Sequence, residues 1–313
     1  MSNAPLTDAQ KKRLKELEPK LRHAAKYGHY DEAKRVASNI QVLLRETGHE
    51  TRLMQAKNWL FQAAMESGQL ETARMGFEGV RKKTNRRTRV YLEATALEAV
   101  CLLRKGELDK AKPFMAEALK RVSNISSESR RKEFQKRMVT LFEEEWIVAS
   151  LRQDVCVDID VDEVQDEAAR LLQSLTADEI EENAVKEIPA EKISRMFEAY
   201  SFSRSQLPSA DRLCLPSPEL KANKKQAGRS LIDSVKRVLW KSLCDENSAV
   251  YKMWFEHGMM YVLDKKYLTA AIVATMMQMK LGYFALAASV AAIIMKIGIE
   301  VFCDRFEPME LMM

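Results

Sequence analysis

The chain has 313 residues, long enough for two separate cores, with 46% hydrophobic residues, 30% charged residues, 10 Gly and 8 Pro. Stretches rich in Ala, Leu, Glu, Lys, Arg and Met without β-branched alternation favour helix. Only 155–161 has any strand character, so the chain reads as all-α. The five cysteines, Cys101, Cys156, Cys214, Cys244 and Cys303, form no CxxC pair and no Cys–His cluster. They read as free thiols in a reducing compartment and argue against a disulfide framework. The formal net charge is only +5, but residues 1–140 carry 30 Lys+Arg against 17 Asp+Glu, and residues 141–200 carry 5 against 17. That asymmetry points to an acidic partner for the first region, or to the two regions neutralising each other.

The opening MSNAPLTDAQKKRLK has no apolar secretory core, which gives a cytoplasmic expectation. Three segments then share one pattern: Gly28-His29-Tyr30-Asp31-Glu32-Ala33, Gly68-Gln69-Leu70-Glu71-Thr72-Ala73 and Gly106-Glu107-Leu108-Asp109-Lys110-Ala111. Each follows one helical stretch and opens another. Glycine admits the left-handed conformation that ends the first helix. Tyr30, Leu70 and Leu108 can fill the angle between the helices. The small Ala33, Ala73 and Ala111 let the two helices approach, and the acidic residues suit the start of the second helix.

The pattern resembles the turn of the tetratricopeptide repeat, Gly-Asp-Tyr-Asp-Glu-Ala, over roughly residues 14–125. The resemblance implies a helical-hairpin solenoid over 1–126 that binds a protein or peptide along the first helix of each hairpin. Its glycines are 40 and 38 residues apart, against ~34 in the family. The closing prolines are replaced by Arg45, Asn85 and Ser123, and Pro19 interrupts the expected first helix. Mapped from the glycines, the groove would present Lys15, Glu18, Arg22 and Ala25, then Gln55, Asn58, Gln62 and Met65, then Glu93, Ala96, Val100 and Leu103. Lys15, Arg22, Gln55, Asn58 and Gln62 are the polar candidates for partner contact. The Lys/Asn clamp for a peptide C-terminus is not reproduced.

Between the second and third hairpins lies a basic run with six cations in nine residues: Arg81, Lys82, Lys83, Arg86, Arg87 and Arg89. Such density suits polyanion contact, though no aromatic residue interleaves it to stack on bases. The acidic stretch 154–163 lacks the glycine and the terminal glutamate of a calcium loop and reads instead as the N-cap of a helix over 162–175. No metal or cofactor site is expected. No Gly-rich phosphate loop, HExxH or GxSxG motif occurs, so the chain reads as a non-enzyme.

Residues 127–204 read as an acidic helical continuation and 205–225 as a linker containing Pro208, Pro216 and Pro218. Residues 226–313 read as a hydrophobic helical domain. Within it, one amphipathic helix is expected over 226–243 and a second over 247–263. Two charge-free runs follow, 267–279 and 281–295, separated by Lys280. They suit a buried hairpin, with Lys280 at its turn, packed against 226–263. They equally suit a membrane anchor over about 265–303 with a cytoplasmic N-terminal region. The function expected is a non-catalytic, cytoplasmic adaptor. The alternatives are a membrane-anchored adaptor or effector and a nucleic-acid-binding regulator.

Overall fold

The computed structural model describes residues 5–45, 47–154, 158–207, 224–264 and 266–307. Among these residues all regular structure is helical, as fifteen α-helices and one 3-10 turn. They gather into two compact units. One comprises residues up to Phe142, and the other mainly Glu143–Arg204 and the helices after residue 224.

The first unit begins with α1 (Asp8–Tyr27), opened by a capping box in which Thr7 Oγ1 accepts from Gln10 N and Thr7 N donates to Gln10 Oε1. There follow α2 (Tyr30–Leu44), α3 (Glu50–Glu66), α4 (Leu70–Lys83), α5 (Arg89–Arg104) and α6 (Leu108–Lys120). Turns of two or three residues join α1 to α2, α3 to α4 and α5 to α6, too short for anything but a hairpin. All three turns close alike. Gly28, Gly68 and Gly106 have φ of 74°, 85° and 79°. The next residue's N–H (His29, Gln69, Glu107) reaches back to the carbonyl of Ala24, Ala64 or Leu102, 2.9 Å away each time. This is the 6→1 bond of a Schellman cap, which needs a residue free of left-handed strain. Ala33, Ala73 and Ala111 are fully buried where the paired helices meet. The first helices also touch in sequence, α1 against α3 and α3 against α5.

Helix α7 (Glu128–Leu151) contributes residues to both units. The second unit continues with α8 (Val161–Ser174), α9 (Ala177–Asn183), α10 (Ala190–Gln206) and α11 (Lys224–Cys244). It ends with α12 (Ala249–Asp264), α13 (Tyr267–Gln278), α14 (Phe284–Ile297) and α15 (Ile299–Arg305). Its centre is α14, in which Ala285–Ala292 are all buried. Helices α8, α9, α13 and α15 pack on it. The row of alanines lets its neighbours come close, and Ser289 Oγ accepts from Asn183 Nδ2 at 3.0 Å. Close approach also joins α9 to α11, since a Cβ built on Gly228 would lie 1.8 Å from the Glu181 carbonyl oxygen.

Several expectations are corrected here. Pro19 does not interrupt α1, which runs through it and gives up one backbone hydrogen bond. The stretch read as a linker from 205 is helical to Gln206 and helical again from Lys224, while 208–223 lie outside the described residues. The helix expected over 247–263 is broken at Gly258, whose φ of 82° and ψ of 168° are not helical. The charge-free hairpin forms with an exposed Lys280 between its helices, but α14 is covered mainly by α8 and α9 rather than by 226–263. The acidic segment supplies amphipathic helices for this: Val164, Ala168 and Leu171 of α8 point inward and are fully buried.

Cys244 and Cys303 form a disulfide, against the expectation of five free thiols; two cysteines distant in sequence are brought together when α15 folds back on α11. Cys101 is buried and free, and Cys156 and Cys214 lie outside the described residues. No single helix among the described residues is long and apolar enough to cross a membrane, although α14 and α15, bent by 97° at Gly298, pass that test as a pair.

Candidate functional site

The face expected to meet a partner is built from α1, α3 and α5. Lys15 and Arg22 of α1 are exposed on it, and the Arg22 guanidinium stands 4.7 Å from the centroid of the Trp59 ring. Glu18 and Arg52 join α1 to α3 through a bidentate pair, with Nε to Oε1 at 2.6 Å and Nη2 to Oε2 at 3.0 Å. Beside them a recess of about 500 Å³ is lined by His49, Thr51, Arg52, Gln55, Thr88, Arg89 and Val90. At its edge the Gln55 Nε2 donates to Glu93 Oε2 at 2.8 Å, and Arg89 Nε lies 2.9 Å from Glu93 Oε1. Burial pushes the Glu93 carboxyl above the usual carboxylate range, against the pull of Arg89 and Gln55.

Asn58 and Gln62 are corrected as groove residues. Asn58 is fully buried, with Nδ2 donating to the Val90 carbonyl at 3.0 Å, and Gln62 is 7% exposed. The whole third row, Glu93, Ala96, Val100 and Leu103, is buried as well. The mapping by distance from the glycine treats one helix stripe as free. Here α5 is enclosed by α3, α4 and α6, and the side of α3 that carries Asn58 faces it. The open part of the face is thus the α1–α3 portion, with Lys15, Glu18, Arg22, Arg52 and Gln55.

The basic run divides in the same way. Arg81 is an internal residue: it binds Glu98 at 2.8 Å and Glu117 at 3.3 Å, beneath the rings of Tyr91 and Phe114. Arg89 is paired with buried Glu93, and Lys82 with Glu78 one turn back. Lys83, Arg86 and Arg87 are exposed. Within the run Arg81 ties α4 to α5 and α6, whereas Lys82 pairs within α4 and Arg89 within α5.

One column of residues carries a signal the glycine motif did not use. Glu66 and Arg104 each stand two residues before a turn glycine, and they pair across adjacent hairpins at 3.0 and 3.1 Å. Lys105 likewise reaches Glu71 at 2.8 Å. Complementary charges at equal distance from successive glycines therefore mark the stacking of neighbours.

In the second unit the acids of 141–200 meet cations from its own later helices. Arg237 binds Glu144 at 3.3 Å and also Glu145, Arg229 binds Glu181 at 2.9 Å, and Lys266 binds Asp162 at 2.7 Å. Asp160 caps α8 by accepting from Asp162 N and Glu163 N. Burial raises Glu143 to about 8 and Glu144 to about 7, opposed by Arg204 and Arg237 respectively. Among the described residues no group of three His, Cys, Asp or Glu is placed to hold a metal ion.

No family model, curated protein or solved structure matches the chain. Its functional reading rests on the residues themselves.

Proposed function

We propose that this protein is a non-catalytic adaptor whose N-terminal, tetratricopeptide-like hairpins bind a protein or peptide partner. The observation that carries the reading is the threefold repetition of one turn, Gly28, Gly68 and Gly106, with the first helices in successive contact. Stacked hairpins of this kind give a rigid, extended surface at little cost in loop, and binding is what such a surface serves. The partner-facing portion is the α1–α3 part, where Lys15 and Arg22 are exposed and Arg52 lines the recess with His49 and Gln55. A surface with the exposed cations Lys15 and Arg22 favours a partner with acidic contacts.

The test is affinity purification of the full chain against a Lys15→Glu/Arg22→Glu variant, read by mass spectrometry. Both residues are exposed and only the Arg22–Trp59 contact is lost, so stability should fall by no more than ~1 kcal/mol while a specific partner is lost. Identical recovery by both proteins, or no partner enriched by either, would overturn the assignment of this face.

A further inference from the structure

The second unit holds an apolar segment that is bent and joined by a disulfide to a neighbouring helix. Helices α14 and α15 have together the length and composition of a membrane span, but they are bent by 97°. The bend is made at Gly298, with φ of 83° and ψ of 147°, a conformation open to glycine and denied to other residues. After the bend α15 packs back with Ile299 and Phe302 buried, and three further contacts tie it to α11. Cys303 is bonded to Cys244, the Trp240 Nε1 donates to the Cys303 carbonyl at 2.7 Å, and Lys236 lies 4.2 Å from the centroid of the Phe306 ring. Only the first is covalent, and only the first responds to the redox state of the surroundings.

We propose that residues 284–305 are a membrane-inserting segment, kept bent by the Cys244–Cys303 bond and released by reduction to straighten into a lipid bilayer. Glycine suits both states, because it adopts the bend without strain and is tolerated within a membrane helix. As one helix the segment would be ~33 Å long at ~1.5 Å per residue, against a hydrocarbon core of ~30 Å. Straightening also puts Lys296 and Glu300 one helical turn apart. Lys296 then lies ~18 Å from the start of the ~33 Å helix, near its middle, and insertion requires that it pair there with Glu300. The alanine-rich face now covered by α8 and α9 would meet lipid or a second helix.

The chemistry is thiol–disulfide exchange with a dithiol reductant. Its thiolate attacks the Sγ of Cys303, the less buried of the two residues, and Cys244 leaves as a thiolate that takes up a proton. The reductant's second thiolate then displaces Cys303, which is protonated in turn. The S–S bond gains two electrons and two protons, and the dithiol becomes the disulfide. The bond persists in an oxidising environment and opens in a reducing one, so the device distinguishes the two sides of a membrane that separates them.

The test is flotation of the full chain with phosphatidylcholine–phosphatidylglycerol vesicles, with and without dithiothreitol, followed by trypsin and mass spectrometry. The expected result is flotation only after reduction, with a bilayer-protected peptide from Leu281 to Arg305 in which Lys296 is uncut. A Cys303→Ser variant, checked for retained helicity by circular dichroism, should float without reductant. Equal flotation of oxidised and reduced protein overturns the gate. Failure of the reduced protein to float, or flotation with Lys296 cleaved, overturns the insertion. Flotation of reduced wild type without flotation of Cys303→Ser shows that another change is responsible, and also overturns the assignment.

Discussion

Three glycines inside helices provide a test in which a single substitution has opposite signs at different sites. Replacing Gly by Ala in a helix interior stabilises by ~0.5–1 kcal/mol, because the unfolded chain loses freedom. At Gly79 on α4, a new Cβ meets nothing within 4 Å, so that gain should appear in full. At Gly228 the Cβ would stand 1.8 Å from the Glu181 backbone oxygen, and relief requires moving α9 away from α11. Overpacking of this kind costs ~1–3 kcal/mol, and the upper end applies when the obstacle is backbone. Gly228→Ala should therefore lose a net ~2–2.5 kcal/mol, which lowers the melting temperature by ~4–10 °C. Gly76→Ala falls between the two, since its Cβ would be 2.2 Å from Phe61 Cδ1 and the half-buried ring has some room to shift. The assay is calorimetry of the full chain, with Gly79→Ala as the internal reference. A Gly228→Ala protein as stable as Gly79→Ala would refute the close crossing of α9 and α11.

The raised Glu143 and Glu144 carboxyls keep their protons longer folded than unfolded, so their effect on stability has a definite sign. The contribution of these two groups should be largest below pH ~4.5, fall as pH rises towards ~8 and then level, by on the order of 5 kcal/mol. Glu143→Gln should flatten the profile in urea denaturation; a profile rising across that window would contradict the burial of these groups. Arg81→Ala should destabilise the first unit by ~3–5 kcal/mol, because the Glu98 carboxylate is left buried without its partner. Changing exposed Lys83, Arg86 and Arg87 to Gln should leave the melt within ~0.5 kcal/mol. Equal effects from the two sets would mean that the run is not divided as described.

The all-helical class and the three hairpin turns were legible in the sequence because each is decided locally. A glycine with a left-handed φ, an apolar residue two places on and an alanine five places on specify a turn without reference to the rest of the chain. Lys280 was legible for the same reason, a single charge between two apolar runs. The buried state of Asn58, Gln62 and Glu93 was not, because it depends on which side of α3 faces α5. Polar residues at those positions read as solvent-facing, whereas here Asn58 donates to the Val90 carbonyl and Glu93 accepts from Gln55. The cover of α14 by α8 and α9 and the pairing of Cys244 with Cys303 were equally hidden. Both join segments far apart in the chain, and no spacing rule connects them.

The pair Glu66 and Arg104, at the same place in consecutive hairpins, has a bearing on how such an array can grow. If the second hairpin were copied in tandem, the two copies would set Glu66 against its own duplicate, and two carboxylates would meet where a carboxylate and a guanidinium now do. Like charges in that position repel, so a duplicated unit would need a compensating change before it could stack. The second hairpin is therefore not interchangeable with a copy of itself: duplication sets carboxylate against carboxylate at the new junction, while the junction with the third hairpin keeps its pairing.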